Sequence, residues 1–325
     1  MWDKSVSRDK QIKGLNRREF LTATLGMTLT SLPLTQTFAA DAITESTVYQ
    51  TTKLSADGLV ESVAAVKNLL TGHIAVKLHT GEANGPNILP RDWVKAVLET
   101  LPNSTIVETN TLYGGDRSNT RVHRQTLKIN GWDFSPVDIL DEEGGVDWPV
   151  NNGMHLKSIN IGSHLENYDS MLVLTHFKGH AMAGFGGSLK NIAIGCATGR
   201  VGKEQIHRGW GTGETFLERM TDAGKAIVDH FNGKIVYVNV LRNMSVDCDC
   251  AGTSAASPVA RDLGILASTD ILAIDQASLD WVKTLPENER NPLEERIASR
   301  QGLRQISAMT ELKMGNPKYR LISLG

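Results

Sequence analysis

Apolar and polar positions alternate along this chain in two rhythms. Short apolar runs precede polar, glycine-containing turns at residues 73–78, 104–107, 170–174 and 234–240, and each predicts a strand. Between them, apolar residues recur at a period near 3.6. Residues 59–70 carry them at 59, 63, 66 and 70. Residues 92–101 carry Trp93, Val94, Val97, Leu98 and Leu101, and residues 216–231 carry Phe216, Met220, Ala223, Ile227 and Phe231. Strand alternating with helix predicts βαβ units, hence an α/β fold with a parallel or mixed sheet and flanking helices, arranged as two lobes around a cleft. One such domain is expected over residues 43–325, with no repeat at a fixed period. The polar stretch 41–56 reads as a loose arm. Residues 285–301, with two prolines and many charges, read as an exposed excursion.

The reactive side chains fall where a parallel sheet binds ligands, just past the strand ends. His79 and Glu82 follow the first run, and Asn110, Tyr113, Gly114 and Gly115 the second. His176 and His180 follow the third, and Cys248 and Cys250 come soon after the fourth. Polar loops alone explain the asparagine and glycines less awkwardly than they explain three histidines and two of three cysteines. These residues are therefore expected on one rim.

The segment from 175 to 196 is glycine-rich. Gly184, Gly186 and Gly187 permit close backbone approach to a ligand. A helix starting near Ser188 would aim its first N–H groups at an anion, with Lys190 in or near that turn. The spacing is neither that of a P-loop nor that of a dinucleotide fingerprint. Further on, Cys248 and Cys250 would face one side if extended, and both sulfurs could then reach one metal. Thiolates favour zinc, copper(I) or iron–sulfur clusters. Cys196 and either His207 or a carboxylate could complete four ligands, with His176 nearby. A strained C-x-C disulfide or buried apolar thiols are the alternatives.

Charge and composition narrow the field. The 325 residues carry Lys+Arg 34 against Asp+Glu 36, net −2, with aromatics at 6%, which argues against a nucleic-acid binder. A core of this size needs no disulfide framework. No apolar run approaches the ~18 residues of a stable membrane span. Residues 1–42 read as an address. Lys4, Arg8, Lys10 and Lys13 precede N-R-R-E-F-L (16–21), a threonine-interrupted apolar stretch and small residues. That string resembles the twin-arginine export signal, with cleavage after Ala42 or Ala39. The resemblance implies passage through the twin-arginine machinery to the periplasm. This route exports folded proteins, often with a cofactor already inserted, so a metal centre is a natural companion.

Five ordered strings resemble one family: K-L-H-T-G-E (77–82), T-N-T-L-Y-G-G (109–115), T-H-F-K-G-H-A-M-A-G-F-G-G-S-L-K-N (175–191), D-C-D-C (247–250) and D-L-G-I-L-A-S-T-D-I-L-A-I-D-Q-A-S (262–278). They are similar to domain-of-unknown-function family 362, over about residues 60–285. That family is labelled an uncharacterised iron–sulfur-centre protein, and many relatives add a four-cysteine ferredoxin module that this chain lacks. His180-x3-Gly184-Phe185-x-Gly187-x2-Lys190-x4-Gly195 also resembles the nickel-pincer lactate racemase pattern. That resemblance implies Lys190 as a covalent cofactor anchor, His180 as acid/base and His207 as a nickel ligand. The racemase arginine beside the lysine is Leu189 here.

Three functions follow as expectations. The first is an exported metal or iron–sulfur protein with a redox role and an electron-transfer partner. The second is a cofactor-dependent isomerase or racemase using Lys190, His180, His79 and Glu82. The third is a periplasmic metal or small-anion binder that is not an enzyme. His123, His155, His164 and His230 read as surface histidines, Asp275 and Asp280 as a helix start and its solvated face. Trp93, Trp132 and Met182 read as packing.

Overall fold

The computed structural model describes residues 45–325, so the expected export signal and its cleavage sites lie outside the described residues. The first predicted strand forms as β2 (Ile74–Lys77), after β1 (Ser46–Thr51). Then come β3 (Ser104–Glu108), β4 (Val137–Ile139), the hairpin of β5 (Gly145–Pro149) and β6 (Ser158–Gly162), and β7 (Ser170–His176). A second small hairpin, β8 (Lys178–His180) with β9 (Gly184–Gly186), precedes β10 (Ile235–Leu241), β11 (Gly264–Ser268) and β12 (Tyr319–Ser323). Eight of these make one sheet in the order β12-β1-β11-β10-β7-β2-β3-β4. Neighbours are parallel except where β11 meets β10 and β1, so β11 alone runs against the rest.

Nine α-helices accompany the described sheet: α1 (Ala56–Ala64), α2 (Arg91–Glu99), α3 (Thr120–Ile129), α4 (Ser188–Cys196), α5 (Val201–His207), α6 (Glu214–Phe231), α7 (Ile271–Lys283), α8 (Glu287–Ser299) and α9 (Arg304–Glu311). Alternation along the strands sends side chains to two cores. Ala75, Met171, Val173 and Tyr237 join one with residues of α4, α6 and α7. Val76, Leu172, Leu174, Val236 and Val238 join the other with residues of α1 and α2. The first predicted helix ends early. Ser55 caps α1 by accepting from Gly58 N–H, and at Val66 (φ −123°) the chain turns into a short 3₁₀ segment, Lys67–Leu69.

Two sequence expectations change. The loose arm contains β1, which sits inside the sheet between β11 and β12; its partners lie more than 200 residues away, and no local pattern announces them. The C-terminal excursion is α8, which buries Leu293 and Ile297 and packs on the β8–β9 hairpin, with Arg296 reaching Asp247 and Glu289 reaching Arg261. The described residues belong to one compact unit, and the cleft is bounded by its loops and helices.

The cleft has a topological cause. From β2 the chain steps to β3 and β4, then returns with β7 on the other side of β2 and moves outward to β10. The strand order therefore reverses between β2 and β7, and the loops leaving their carboxyl ends part there.

Candidate functional site

Over this reversal lies a cavity of about 370 Å³. Its walls include Lys77, His79, Glu108, Lys178, His180, Lys190, Lys203, His207, Cys248 and Cys250. The wall thus draws His79 from after β2, Tyr113 from after β3, His176 and His180 from the end of β7 and the hairpin beyond it, and both cysteines from after β10. The cavity gathers more charge than the sequence reading anticipated.

At one wall stands buried Glu108, at the end of β3. Lys77 donates to its Oε2 at 3.1 Å and Arg117 to its Oε1 at 3.2 Å, and His79 Nδ1 lies 3.3 Å from Oε1. Burial alone would raise the Glu108 carboxyl, but these cations and the histidine bond hold it well below its usual range. A carboxylate can only accept, so His79 carries its hydrogen on Nδ1. Its Nε2 is left as a lone pair, buried and without a hydrogen-bond partner among the described residues. Burial, followed by the Arg117 charge, brings His79 down to about 3 against the pull of Glu108, so the ring is neutral. Glu82 does not line the cavity. It accepts from Arg117 Nε and Tyr113 Oη, both at 2.8 Å, and so positions the guanidinium.

Another part of the wall is the β8–β9 hairpin. His180 Nδ1 accepts backbone N–H bonds from Met182 at 3.1 Å and Ala183 at 2.9 Å. A neutral imidazole has one hydrogen, and here it must sit on Nε2, which faces Cys250 Sγ at 4.0 Å. Burial, then the nearby Lys190 and Lys178 charges, keeps His180 well below its ordinary value. Gly184 has φ +79° and lies against Gly302; it shapes the hairpin and does not line the cavity, whereas Gly186 and Gly187 do.

Helix α4 starts at Ser188 as predicted, but its N-terminus is already filled. Buried Asp275 accepts from Ser188 N–H at 2.8 Å and Leu189 N–H at 3.0 Å, so no external anion docks there, and Asp275 is no solvated helix residue. A Cβ on Gly187 would come within 2.4 Å of this carboxylate, which explains the glycine. Lys190 follows in the first turn. Its ammonium has no hydrogen bond or ion pair among the described residues. Burial, then Lys178, lowers it to about 7, with Asp249 opposing. Lys203 donates to Thr109 Oγ1, Asn110 O and Ala197 O at 2.6–2.7 Å, and burial lowers it to about 8. Lys178 donates to Asp249 at 3.0 Å. Five cations (Lys77, Arg117, Lys178, Lys190, Lys203) thus meet three carboxylates (Glu82, Glu108, Asp249), and among the described residues the one without a partner is Lys190.

The cysteines divide. Cys248 and Cys250 are joined by a disulfide at the cavity wall. They are not on an extended strand: Cys248 caps a 3₁₀ turn, Asp249–Ser254, and takes an N–H bond from Cys250 at 3.2 Å. Asp249, between them, is clamped by His176 and Lys178. His180, Cys248 and Cys250 form a group whose donor atoms lie within 4.8 Å of one another and, once the disulfide is reduced, could hold a metal ion. Cys196 is outside that group. It ends α4 facing the apolar core, where burial pushes its thiol up to about 12. His176 is not a ligand candidate either, because Asp249 and the Arg242 carbonyl occupy both ring nitrogens. His207 bonds the Lys203 carbonyl through Nδ1 and lines the cavity between Trp210 and Phe216. Asn110 lies behind the wall, bonded to Thr120 and His123, and Tyr113 lines it. His123 is fully buried, not a surface residue.

Sequence reasoning missed Lys77, Glu108, Arg117, Lys178, Lys203 and Asp249. A charge at the end of an apolar strand was the available signal for Lys77 and Glu108, and Lys178 lies within a string already singled out.

Among solved structures, the lactate racemase apoprotein from Thermoanaerobacterium thermosaccharolyticum is similar at 11% identity and TM-score 0.41, over 74% of this chain and 57% of that one. A structural-genomics protein from Thermotoga maritima is similar at 10% identity and TM-score 0.39, over 78% of this chain and 60% of that one. The chain therefore spans less than two thirds of either. No curated protein matches. The family model described as a domain of unknown function, DUF362, matches residues 74–280, most of the chain, and the protein belongs to that family.

Proposed function

We propose that the protein binds a small organic anion in this cavity and moves a proton on it. The observation that carries the proposal is the pair of opposite histidine tautomers on one cavity. His79 offers a buried, unpartnered Nε2 lone pair, and His180 offers an Nε2 hydrogen. One can accept a proton while the other donates, and both are held neutral. The excess of cations selects an anion. As the ligand's charge arrives it raises the basicity of His79, which burial has depressed. Tyr113 and Trp210 bound the same space and would limit ligand size.

The test uses pyruvate and 2-oxoglutarate as probes, incubated with the protein in D2O. Deuterium should enter the C–H next to the carbonyl faster than in the buffer blank, by NMR. His79→Gln and His180→Gln should each return the rate to the blank. Equal rates in all three proteins overturn the proposal.

The His180–Cys248–Cys250 group favours a second reading, a soft metal such as zinc or copper(I) on reduced thiolates with an open fourth position. Binding through His180 Nε2 requires that ring to give up its two backbone bonds at Nδ1. An iron–sulfur cluster draws less support, since Cys196 stands apart. Metal analysis of protein purified under reducing conditions tests this: Cys248→Ser should lose the metal, and unchanged content refutes it. We further propose twin-arginine export to the periplasm, on the strength of Arg17-Arg18 and the small-residue end of the leader. Replacing both arginines by lysine should leave the precursor in the cytoplasm, and normal delivery refutes export by this route.

A further inference from the structure

We propose that Cys248 and Cys250 form a redox-active pair that exchanges with small anionic thiols and disulfides of the glutathione type admitted to the cavity. The observation is where the disulfide lies and what faces each sulfur. It lines the cavity instead of crossing the core. Its ring spans a sequence separation of 2, so it constrains the unfolded chain far less than a long-loop bridge does and makes a poor structural staple. Each sulfur has an N–H ready to receive negative charge: Cys250 N–H at 3.2 Å from Cys248 Sγ, and His180 Nε2 at 4.0 Å from Cys250 Sγ. Lys190, without a partner among the described residues, lines the same cavity. The turn is anchored independently of the sulfurs, by Asp249 to His176 and Lys178 and by Arg296 to Asp247 and the Val246 carbonyl. The loop therefore has the means to keep its place in both redox states.

The chemistry balances without a further reactant. A thiolate from solution attacks Sγ of Cys250, the less buried of the two, and forms a mixed disulfide. The Cys248–Cys250 bond breaks, and its electron pair leaves on Cys248 Sγ, opposite the Cys250 N–H. A second thiolate attacks the outer sulfur of the mixed disulfide and releases Cys250 as thiolate. One protein disulfide gains two electrons, and two small thiols become one small disulfide. The reverse sequence oxidises the protein. This activity is independent of proton transfer by His79, so either can fail alone.

The experiment equilibrates the full chain, freed of metal by chelator, with glutathione buffers of graded reduced-to-oxidised ratio. Acid quench, alkylation and intact mass then read the redox state. Beyond the constant label on free Cys196, two further alkylations should appear cooperatively as the ratio rises, and Cys248→Ser should trap one glutathione on Cys250. At equal thiolate concentration, glutathione should reduce the wild-type pair at least about tenfold faster than cysteamine, a cationic thiol, because the cavity charge steers the anion. A pair that stays oxidised across the whole range overturns the proposal, and needs no variant to show it. Cysteamine reacting as fast as glutathione overturns the assignment of an anionic partner.

Discussion

Lys190→Met should make this protein more stable while emptying its cavity of function. The Lys190 ammonium lies in a desolvated wall with no ion-pair or hydrogen-bond partner among the described residues, and its value falls from 10.5 to about 7. That difference corresponds to at most about 5 kcal/mol against folding with the charged form. The side chain keeps some surface toward the cavity, and water there screens part of the cost, so about 2–3 kcal/mol is expected. The sign follows from proton binding. Between pH 7 and 10.5 the unfolded chain holds this proton and the folded protein does not, so stability rises with pH across that window. The penalty is full below pH 7. The variant should therefore melt about 4–10 °C above wild type at pH 6, and the gap should shrink by roughly half at pH 9. Differential scanning calorimetry at the two pH values measures it. A less stable variant, or a gap that does not narrow with pH, would falsify the claim that this ammonium is uncompensated in the folded state. The same substitution should abolish binding of 2-oxoglutarate, so stability and function trade against each other at this residue.

Three further outcomes are expected. Affinity for 2-oxoglutarate by titration calorimetry should fall about tenfold between pH 6 and 8.5 as Lys190 loses its proton, and a flat profile contradicts the cationic-cavity argument. Asp275→Ala should cost about 2–4 kcal/mol in urea unfolding, because two N–H groups of α4 and the Asn239 amide lose their acceptor together; a cost below ~1 kcal/mol would show that water replaces it. Gly195→Ala puts a Cβ 2.0 Å from Lys77 Cε, forcing Lys77 off Glu108; the ligand should bind at least about tenfold more weakly, and unchanged affinity would mean the pair is not needed.

The local grammar was legible from residue pattern. The apolar runs became β2, β3, β7 and β10, the 3.6 period became α2 and α6, and the glycine run became a hairpin leading into a helix at Ser188. These are legible because the pattern and the structure share a period of two or 3.6 residues. The placement of chemistry after strand ends was legible too, since a parallel sheet brings those ends to one side. What each group can do depends on partners far away in the chain. Asp275, 87 residues from Ser188, filled the helix N-terminus that the sequence offered to a ligand. Glu108 fixed the hydrogen of His79 on one nitrogen, and two backbone N–H groups fixed that of His180 on the other. Cys196 turned into the core while its two counterparts met at the cavity. Strand β1 found its neighbours at the far end of the chain. A side chain's type is written at its own position, but its charge, tautomer and free valence depend on partners that only folding brings within about 3 Å.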